Sequence, residues 1–414
     1  MGLPEKAGLF MPEFIPRMPN SFFERIEELS FQELSFELAH ALIGDSIPKD
    51  ILSEIVKKAI NFPAPVVEID NNIGVLELFH GPSLAFKDFG ARFMAGILGY
   101  LNQGEERKLV ILVATSGDTG GAVASGFLKT EGVEVVVLYP AGRVSMLQEK
   151  QLTTLGYNIT ALEVKGSFDA CQDLVKNAFS DVELNEEIRL SSANSINIAR
   201  LLPQIFYYFE AYKQIKAKGY PIVFSVPSGN FGNLTAGLIA KRMGLPVKKF
   251  IAGTNINDII PEYLKTGIYT PKASIATISN AMDVGNPSNF LRMIDLYYGI
   301  PANLNDDMVG FSFNDEETCR GMKEVYEKYG YIIDPHGAIG YLALKEYLKK
   351  DDSVYGIILE TAHPAKFKKE VEKVNDIRVE IPERLRVLSK RTKKSVAIST
   401  DYAEFNHFLR DNYS

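Results

Sequence analysis

The chain has 414 residues, 46% of them hydrophobic and 23% charged, so it is long enough for roughly two or three domains with large buried cores. Its 45 basic and 52 acidic residues give a formal net charge of −7, which argues against nucleic acid as a partner because phosphate backbones bind to basic faces. With two cysteines, no basic leader and no apolar run of about 18 residues, the sequence predicts a cytoplasmic protein with neither a disulfide framework nor a membrane span.

The N-terminal part of the chain is predicted to form a small lobe. Helical patterns run through residues 21–28 and 31–43, and Pro63 and Pro65 then break the chain. From residue 66 onward, apolar strand patterns alternate with helical patterns; the strands are predicted at residues 109–115, 133–139, 158–164, 221–226, 248–255 and 354–360. This alternation predicts an α/β fold with parallel sheets covered by helices, in which ligands bind at the carboxyl ends of the strands.

The segment FHGPSLAFKDFGARF, residues 79–93, places Lys87 in the first turn of a predicted amphipathic helix. Partial positive charge at a helix N-terminus disfavours an ammonium group and biases the lysine toward its neutral amine. A neutral amine can form a Schiff base with a carbonyl, which is how pyridoxal phosphate (PLP) enzymes hold their cofactor. The alternative is a surface lysine beside a capping Asp88.

Two glycine-rich loops follow predicted strands and open predicted helices. The first, TSGDTGG at residues 115–121, presents hydroxyls and backbone N–H groups, which predicts either an anion site or a capping turn. The second, PSGNFGN at residues 227–233, adds asparagine donors to two glycines. Because no G-K-[ST] follows, this loop suits a compact phosphate monoester better than a nucleoside triphosphate.

Two further segments place polar side chains at the ends of elements. Thr361 follows the strand pattern 354–360 and is either a turn residue or a ligand. In SANSINIAR, residues 192–200, Asn197 and Arg200 share a helical face, so they either converge on an anion or form a solvated first turn. The five histidines show no ligand pairing, so no metal site is predicted, and the basic run at residues 390–394 indicates a solvated tail.

Six segments of the chain occur in the order found in threonine synthases, and the chain resembles that family. They are ELFHGPSLAFKDFG, ATSGDTGGA, NSINIAR, PSGNFGN, AMDVGNPSNFLR and LETAHPAKF, and they lie within residues 8–369. The resemblance implies the tryptophan synthase β-like fold of fold-type II PLP enzymes: two open, mostly parallel sheets flanked by helices, plus a small N-terminal lobe. The segment AMDVGNPSNF favours the threonine synthases over the related dehydratases.

The resemblance also implies roles for individual residues. Lys87 would form the Schiff base with PLP and act as the catalytic residue, and Thr361 would bond the pyridine nitrogen. The cofactor phosphate would be held by Gly229, Asn230, Phe231, Gly232 and Asn233. The substrate would contact Thr115, Ser116, Asp118, Thr119, Asn194, Ser195, Asn197 and Arg200. The first four would meet the amino-acid end of the substrate and its surroundings, and the last four would bind the substrate phosphate, with Arg200 as the strongest candidate. Asp118 stands where fold-type II relatives often have Asn.

The implied reaction is γ-elimination of phosphate from O-phospho-L-homoserine followed by β-addition of water, which gives L-threonine in the final step of threonine biosynthesis. Such an enzyme is a carbon–oxygen lyase acting on phosphates, and it needs two phosphate sites. The rival interpretations are another fold-type II lyase, a non-catalytic PLP-binding protein and a nicotinamide oxidoreductase. The missing dinucleotide fingerprint argues against the last of these.

The predicted domains are an N-terminal lobe (1–65), a large PLP-binding domain (66–105 and 195–389), an inserted small α/β domain (106–194) and a C-terminal tail (390–414). Threonine synthases generally carry extra residues before the segment that corresponds to GLPEKAGLFMPEF, so the chain is expected to begin late. The sequence leaves the oligomeric state open between a monomer and a homodimer.

Overall fold

A computed structural model describes residues 8–115, 117–298 and 301–414, with the side chains of 301–303 excepted. Ser116, predicted to contact substrate, lies outside the described residues. The described chain forms two compact units. The first comprises residues 8–10, 87–200 and 381–414, and the second comprises residues 11–86 and 201–380.

The strands alternate with helices along most of the chain. The helices are α1 Asn20–Arg25, α2 Phe31–Ile43, α3 Lys49–Ala59, α4 Lys87–Leu101, α5 Asp118–Gly126, α6 Met146–Thr153, α7 Phe168–Ser180, α8 Val182–Glu187, α9 Ile198–Leu201, α10 Ile205–Ile215, α11 Gly232–Arg242, α12 Ile259–Thr266, α13 Phe290–Leu296, α14 Pro301–Asp307, α15 Asp315–Tyr329, α16 Pro335–Leu348, α17 Lys368–Asn375, α18 Glu383–Ser389 and α19 Tyr402–Tyr413. The strands are β1 Val66–Asp70, β2 Ile73–Glu77, β3 Leu109–Ala114, β4 Val133–Pro140, β5 Ile159–Val164, β6 Arg189–Ser192, β7 Ile222–Pro227, β8 Val247–Thr254, β9 Met308–Ser312, β10 Tyr355–Glu360 and β11 Val396–Ile398.

The second unit contains a six-stranded sheet in the order β1-β2-β10-β7-β8-β9. Only the β1–β2 pair at its edge is antiparallel, and the remaining pairs are parallel. Every residue of β7 and β10 is buried, as expected for central strands covered on both faces. Their carboxyl ends lie side by side at one edge of the sheet, where ligands bind in folds of this kind.

The first unit contains a five-stranded parallel sheet in the order β11-β5-β4-β3-β6. Successive residues of its strands point to opposite faces, so Ile111 and Val113 belong to one apolar core while Val110 and Leu112 belong to the other. The core around Val110 also contains residues of α7 and α19, and the core around Ile111 contains residues of α4 and α5. Helices therefore cover both faces, which explains the uninterrupted apolar pattern of β3 and β4.

The predicted α/β class with two open, mostly parallel sheets is confirmed. All six predicted strands are present within a residue of their predicted bounds, and α2 coincides with its predicted range because a Ser30–Glu33 capping box marks its start. The helix after the TSGDTGG loop was predicted to begin at Ala122 and begins four residues earlier, at Asp118, because Gly120 and Gly121 lie in its first turn. Five strands were missed, and each has only three to five residues and lies at or next to a sheet edge: β1, β2, β6, β9 and β11.

The predicted four-domain division stays a prediction. In the structure, residues 390–414 fold with the first unit: β11 pairs in parallel with β5, and the Lys393 ammonium contacts Glu149 and Glu163, each at 2.7 Å.

Within the described residues, none of the helices is long and apolar enough to cross a membrane, and no group of three or more His, Cys, Asp or Glu is placed to hold a metal ion.

Candidate active site

The chain that leads into Lys87 is pinned to the carboxyl end of β10. Phe86 donates its N–H to the Thr361 carbonyl at 2.9 Å, and His363 donates its N–H to the Leu84 carbonyl at 3.0 Å. Leu84 has φ of 58°, a left-handed conformation that costs a non-glycine residue energy and that clusters at functional sites. Lys87 follows Phe86 directly in the chain and is the first residue of α4.

The predicted phosphate loop follows β7, the neighbour of β10. Phe231 has φ of 58°, and α11 begins at the next residue, Gly232. The first N–H groups of a helix have no acceptor within it, so the start of α11 presents donors and a partial positive charge. Gly229 is required here, because a Cβ at this position would lie 2.6 Å from the Met282 Cα. This arrangement suits an anion at the loop.

The side chain of Asn233 forms hydrogen bonds within this loop. Its Oδ1 accepts from the Ser228 hydroxyl at 2.7 Å and from the Leu234 N–H at 2.9 Å, and its Nδ2 donates to the Pro227 carbonyl at 2.9 Å. These bonds tie the end of β7 to the first turn of α11. Asn233 would therefore contribute to a phosphate site through the loop that it holds or through its own N–H.

Glu360, the last residue of β10, is a buried acid directly before Thr361. Its side chain is fully buried, and burial together with the Asp334 carboxyl raises the pKa of Glu360 well above its usual range. Its Oε1 accepts from the Asp334 N–H at 2.8 Å, while Asp334 caps α16 by accepting from the Gly337 N–H at 2.7 Å. Burial thus favours the protonated form of this acid, and nothing in the sequence pattern distinguished it from an ordinary strand-end glutamate.

We expect Glu360→Gln to gain stability relative to the wild type as the pH rises. Because the folded-state pKa is raised, the wild-type free energy of unfolding is highest below the unfolded pKa of about 4.3 and falls as pH rises toward the folded pKa, by at most about 1.4 kcal/mol per pH unit. Glutamine keeps the neutral shape and does not titrate. Urea unfolding at pH 5 and pH 8 measures the difference, with Glu131→Gln at an exposed position as the control. An equal stability difference at both pH values would contradict the raised pKa.

In the first unit, the hydroxyl of Thr115 organises the predicted substrate loop. Its Oγ1 accepts from the Gly117 N–H at 2.9 Å and from the Gly120 N–H at 2.8 Å. Two backbone donors of the loop are therefore used internally, and the hydroxyl acts as the cap of the turn. Thr119, the second residue of α5, is partly exposed and stays a candidate for contact with substrate.

Asp118 is held by a residue that the sequence analysis missed. Gln148 donates from Nε2 to the Asp118 Oδ1 at 3.0 Å, and both side chains are buried. A Cβ on Gly117, whose φ is 139°, would lie 2.5 Å from the Gln148 Cδ, so the glycine makes room for the amide. The only sequence signal at Gln148 is the capping box with Ser145, which predicts the start of α6 but not a contact 30 residues away.

The asparagines of the NSINIAR segment bond to nearby backbone. Asn197 donates to the Ser192 carbonyl and accepts from the Ala199 N–H, both at 3.0 Å. Asn194 donates to the Ala114 carbonyl at 3.3 Å, which joins the loop after β6 to the end of the neighbouring β3. Ser195 is half-buried between them. The structure thus brings the TSGDTGG and NSINIAR loops together at one edge of the sheet.

Arg200 is buried under the start of α4. It is 3% exposed, its Nη1 donates to the Ala193 carbonyl at 2.5 Å, and burial lowers its pKa to about 10 although the Asp88 carboxylate opposes this. A Cβ on Gly90 would lie 2.5 Å from the Arg200 carbonyl oxygen, so α4 packs directly on this segment. The guanidinium is therefore buried within the electrostatic range of Asp88 and bonded to the backbone of its own unit. Its contact with a substrate phosphate stays a prediction.

Comparisons with known proteins cover almost the whole chain. A family model described as "Pyridoxal-phosphate dependent enzyme" matches residues 62–359, and models of the threonine synthase N terminus and C-terminal region match residues 1–60 and 337–409. Threonine synthase of Haemophilus influenzae is 49% identical over 409 residues, which cover 99% of this chain and 94% of that protein.

Two solved structures are similar along the same length. The crystal structure of threonine synthase from Escherichia coli has a TM-score of 0.92 at 46% identity and covers 99% of this chain and 95% of that one. The PLP-bound threonine synthase from Brucella melitensis has a TM-score of 0.93 at 33% identity, covering 100% and 95%. These matches confirm the resemblance that the six sequence segments predicted.

Proposed function

This chain belongs to the threonine synthase family of pyridoxal-phosphate-dependent enzymes, and we propose that it converts O-phospho-L-homoserine and water to L-threonine and phosphate. The observation that carries the proposal is the pairing of Phe86 with Thr361 at the end of β10, next to the glycine-rich loop at the end of β7. It supports a cofactor site at the position where parallel sheets bind ligands.

The residues present fit PLP by the chemistry of their donors. The loop from Gly229 to Asn233 opens a helix of 11 residues and suits a phosphate dianion. The Thr361 hydroxyl suits a pyridine nitrogen that carries no full positive charge, and the raised pKa of the adjacent Glu360 disfavours a carboxylate there. Lys87 offers the amine that would bind the cofactor aldehyde.

Lys87 would serve as the proton-transfer group of the reaction. When bound, PLP withdraws electrons from the substrate Cα and so acidifies the proton on that carbon. The Lys87 amine would remove this proton as a general base and return protons later as a general acid. Phosphate leaves from Cγ after further proton loss at Cβ, and water then adds at Cβ. The product keeps the amino and carboxyl groups of the substrate.

The substrate would be bound by the two polar loops of the first unit. We propose that Thr119 and Ser195 offer donors to it, since both are only partly buried. Asp118, oriented by Gln148, would meet the amino-acid end of the substrate together with Ser116. The hydrogen bonds described above join Thr115, Asn194, Asn197 and Arg200 to backbone groups of the same unit, so these four residues would also hold the loops in place.

We expect the wild type to prefer the phosphorylated substrate strongly. Phosphate is a far better leaving group than hydroxide, and a site built for it leaves donors unpaired with an unphosphorylated analogue. The value of kcat/KM for L-homoserine, L-serine or L-threonine should be lower by at least about 100-fold. Parallel assays of threonine or keto-acid formation measure this ratio. Comparable efficiency on L-serine or L-threonine would favour the rival reaction, that of a dehydratase.

We also propose a cytoplasmic location. Cys171 is a buried free thiol whose pKa burial raises to about 12, and Cys319 is a partly buried free thiol. Unpaired cysteines are typical of reducing compartments.

A further inference from the structure

The segment AMDVGNPSNFLR, residues 281–292, has no role in the reaction as proposed above, although the sequence singles it out. It lies in the second unit and is anchored to the end of β8. The Asp283 Oδ1 accepts from the Thr277 hydroxyl at 2.7 Å and from the Asn255 Nδ2 at 2.9 Å, and its Oδ2 accepts from the Thr277 N–H at 3.0 Å. One carboxylate thus accepts three hydrogen bonds, which fix the place of the segment.

The backbone of this segment is also closely packed. Gly285 accepts from the Lys272 N–H at 2.9 Å, and a Cβ on Gly285 would lie 1.8 Å from the Lys272 carbonyl oxygen. No other residue type fits there without moving the chain. The hydrogen bonds of Asp283 and the close packing of Gly285 therefore both fix the segment next to the phosphate loop.

Three contacts join the anchored segment to the phosphate loop at Asn230. Ser288 donates its N–H to the Asn230 Oδ1 at 2.6 Å and its hydroxyl to the same atom at 2.9 Å. Asn289, which is fully buried, donates from Nδ2 to the Asn230 carbonyl at 3.1 Å. In addition, Gly229 meets the backbone at Met282 closely enough to exclude a Cβ.

These donors decide which way the Asn230 amide faces. An amide oxygen and nitrogen are interchangeable by shape, so their assignment rests on the partners. A backbone N–H can only donate, so the atom that receives the Ser288 N–H must be the oxygen. The NH2 group, a donor of two hydrogens, is consequently the other end of the amide.

We propose that Ser288 is a positioning residue for the cofactor phosphate, acting through Asn230. By occupying Oδ1 it prevents the amide from flipping, and it keeps the NH2 end as the donor to the phosphate. The inference rests on the proposed PLP site. Ser288 itself would not contact the cofactor. It would fix the orientation of the Asn230 amide, whose NH2 group would contact the phosphate.

The test compares apoprotein affinity for PLP with affinity for pyridoxal, which lacks the phosphate, by absorbance and fluorescence titration. Ser288→Ala removes one of the two hydrogen bonds that hold the Asn230 Oδ1 and keeps the one from the Ser288 N–H, so the amide should be held less firmly. PLP binding should weaken about 3- to 10-fold, while pyridoxal binding stays unchanged. Ser288→Thr keeps the hydroxyl and should restore PLP affinity. The matched control is Asn286→Ala, an exposed position of the same segment whose amide contacts the Tyr269 hydroxyl.

A double-mutant cycle tests whether Ser288 acts through Asn230. In an Asn230→Ala background, Ser288→Ala should cause no further loss of PLP affinity. Asn230→Asp gives a second, independent test if Ser288→Ala fails to fold: it keeps an oxygen for Ser288 but puts a second acceptor where the NH2 was. This variant should lose at least about 10-fold in PLP affinity and little for pyridoxal.

Two sets of results would overturn the inference. Equal losses for PLP and pyridoxal in Ser288→Ala would show a general structural role, and PLP affinities within about twofold of wild type in both Ser288→Ala and Asn230→Asp would show no role in phosphate binding. The proposed cofactor site fails in a different way. In that case wild-type protein would bind pyridoxal as tightly as PLP.

Discussion

Lys87→Ala is expected to abolish threonine formation from O-phospho-L-homoserine, with kcat lower by at least about 10³-fold. The amine is assigned both the covalent attachment of the cofactor and the proton transfers, and general acid–base catalysis alone is worth about 10²–10⁴ in rate. The variant should still fold, because Phe86 and Leu84 pin the preceding turn to β10 through backbone bonds that the substitution leaves intact. Steady-state release of phosphate and threonine measures the effect.

The control for Lys87→Ala is Lys369→Ala, which removes an exposed lysine at the start of α17 and should leave kcat within about twofold. A small primary amine added to Lys87→Ala should restore part of the activity, because it replaces the missing base. Full activity of Lys87→Ala without added amine would remove Lys87 from the mechanism.

Arg200→Met is expected to lower the free energy of unfolding by about 3–5 kcal/mol. The guanidinium is 3% exposed, lies within the electrostatic reach of the fully buried Asp88, and donates to the Ala193 carbonyl. Its removal would leave the Asp88 carboxylate buried without this compensating charge, next to Lys87 in α4. Chemical denaturation of the apoprotein measures the loss without any contribution from substrate.

A double variant that neutralises both Arg200 and Asp88 distinguishes a structural role of Arg200 from a role in binding the substrate phosphate. If Arg200 mainly compensates Asp88, then the double variant Asp88→Asn/Arg200→Met should recover part of the stability lost by Arg200→Met alone. A different result would support the role expected from the sequence. In that case Arg200→Met would unfold within about 1 kcal/mol of the wild type and would raise KM for the phosphorylated substrate.

The sheets were predictable because buried parallel strands impose a pattern that local sequence carries by itself. Residues 109–114 and 355–359 are runs without a charged residue, and both lie in strands inside their sheets. β11 was missed because a three-residue edge strand with exposed valine and alanine has no such pattern. Its pairing with β5 depends on packing against a segment more than 200 residues away.

The sequence was a good guide to which loops lie at the carboxyl ends of the strands. It was a poorer guide to the hydrogen-bond partners of each side chain in those loops. Asparagine, serine and threonine bond to nearby backbone as readily as to a ligand. Asn233, Asn197 and Thr115 use their side chains in this way. Neither their identity nor their spacing separates the two uses, and their predicted contacts with cofactor or substrate stay predictions.

Contacts between distant segments were the hardest to predict. Gln148 reaches Asp118, and Ser288 reaches Asn230, across 30 and 58 positions. Each lies at a place where local patterns predict only a helix start or a turn. The raised pKa of Glu360 is likewise set by burial in the core and by Asp334 rather than by its own neighbours in the chain.

The most direct test of the proposed function is a product balance with purified wild-type protein, PLP and O-phospho-L-homoserine. Threonine and phosphate should appear in equal amounts, and both should depend on PLP. Phosphate without threonine, or no turnover although PLP is bound, would contradict the proposed reaction and direct attention to other phosphorylated or hydroxylated amino acids.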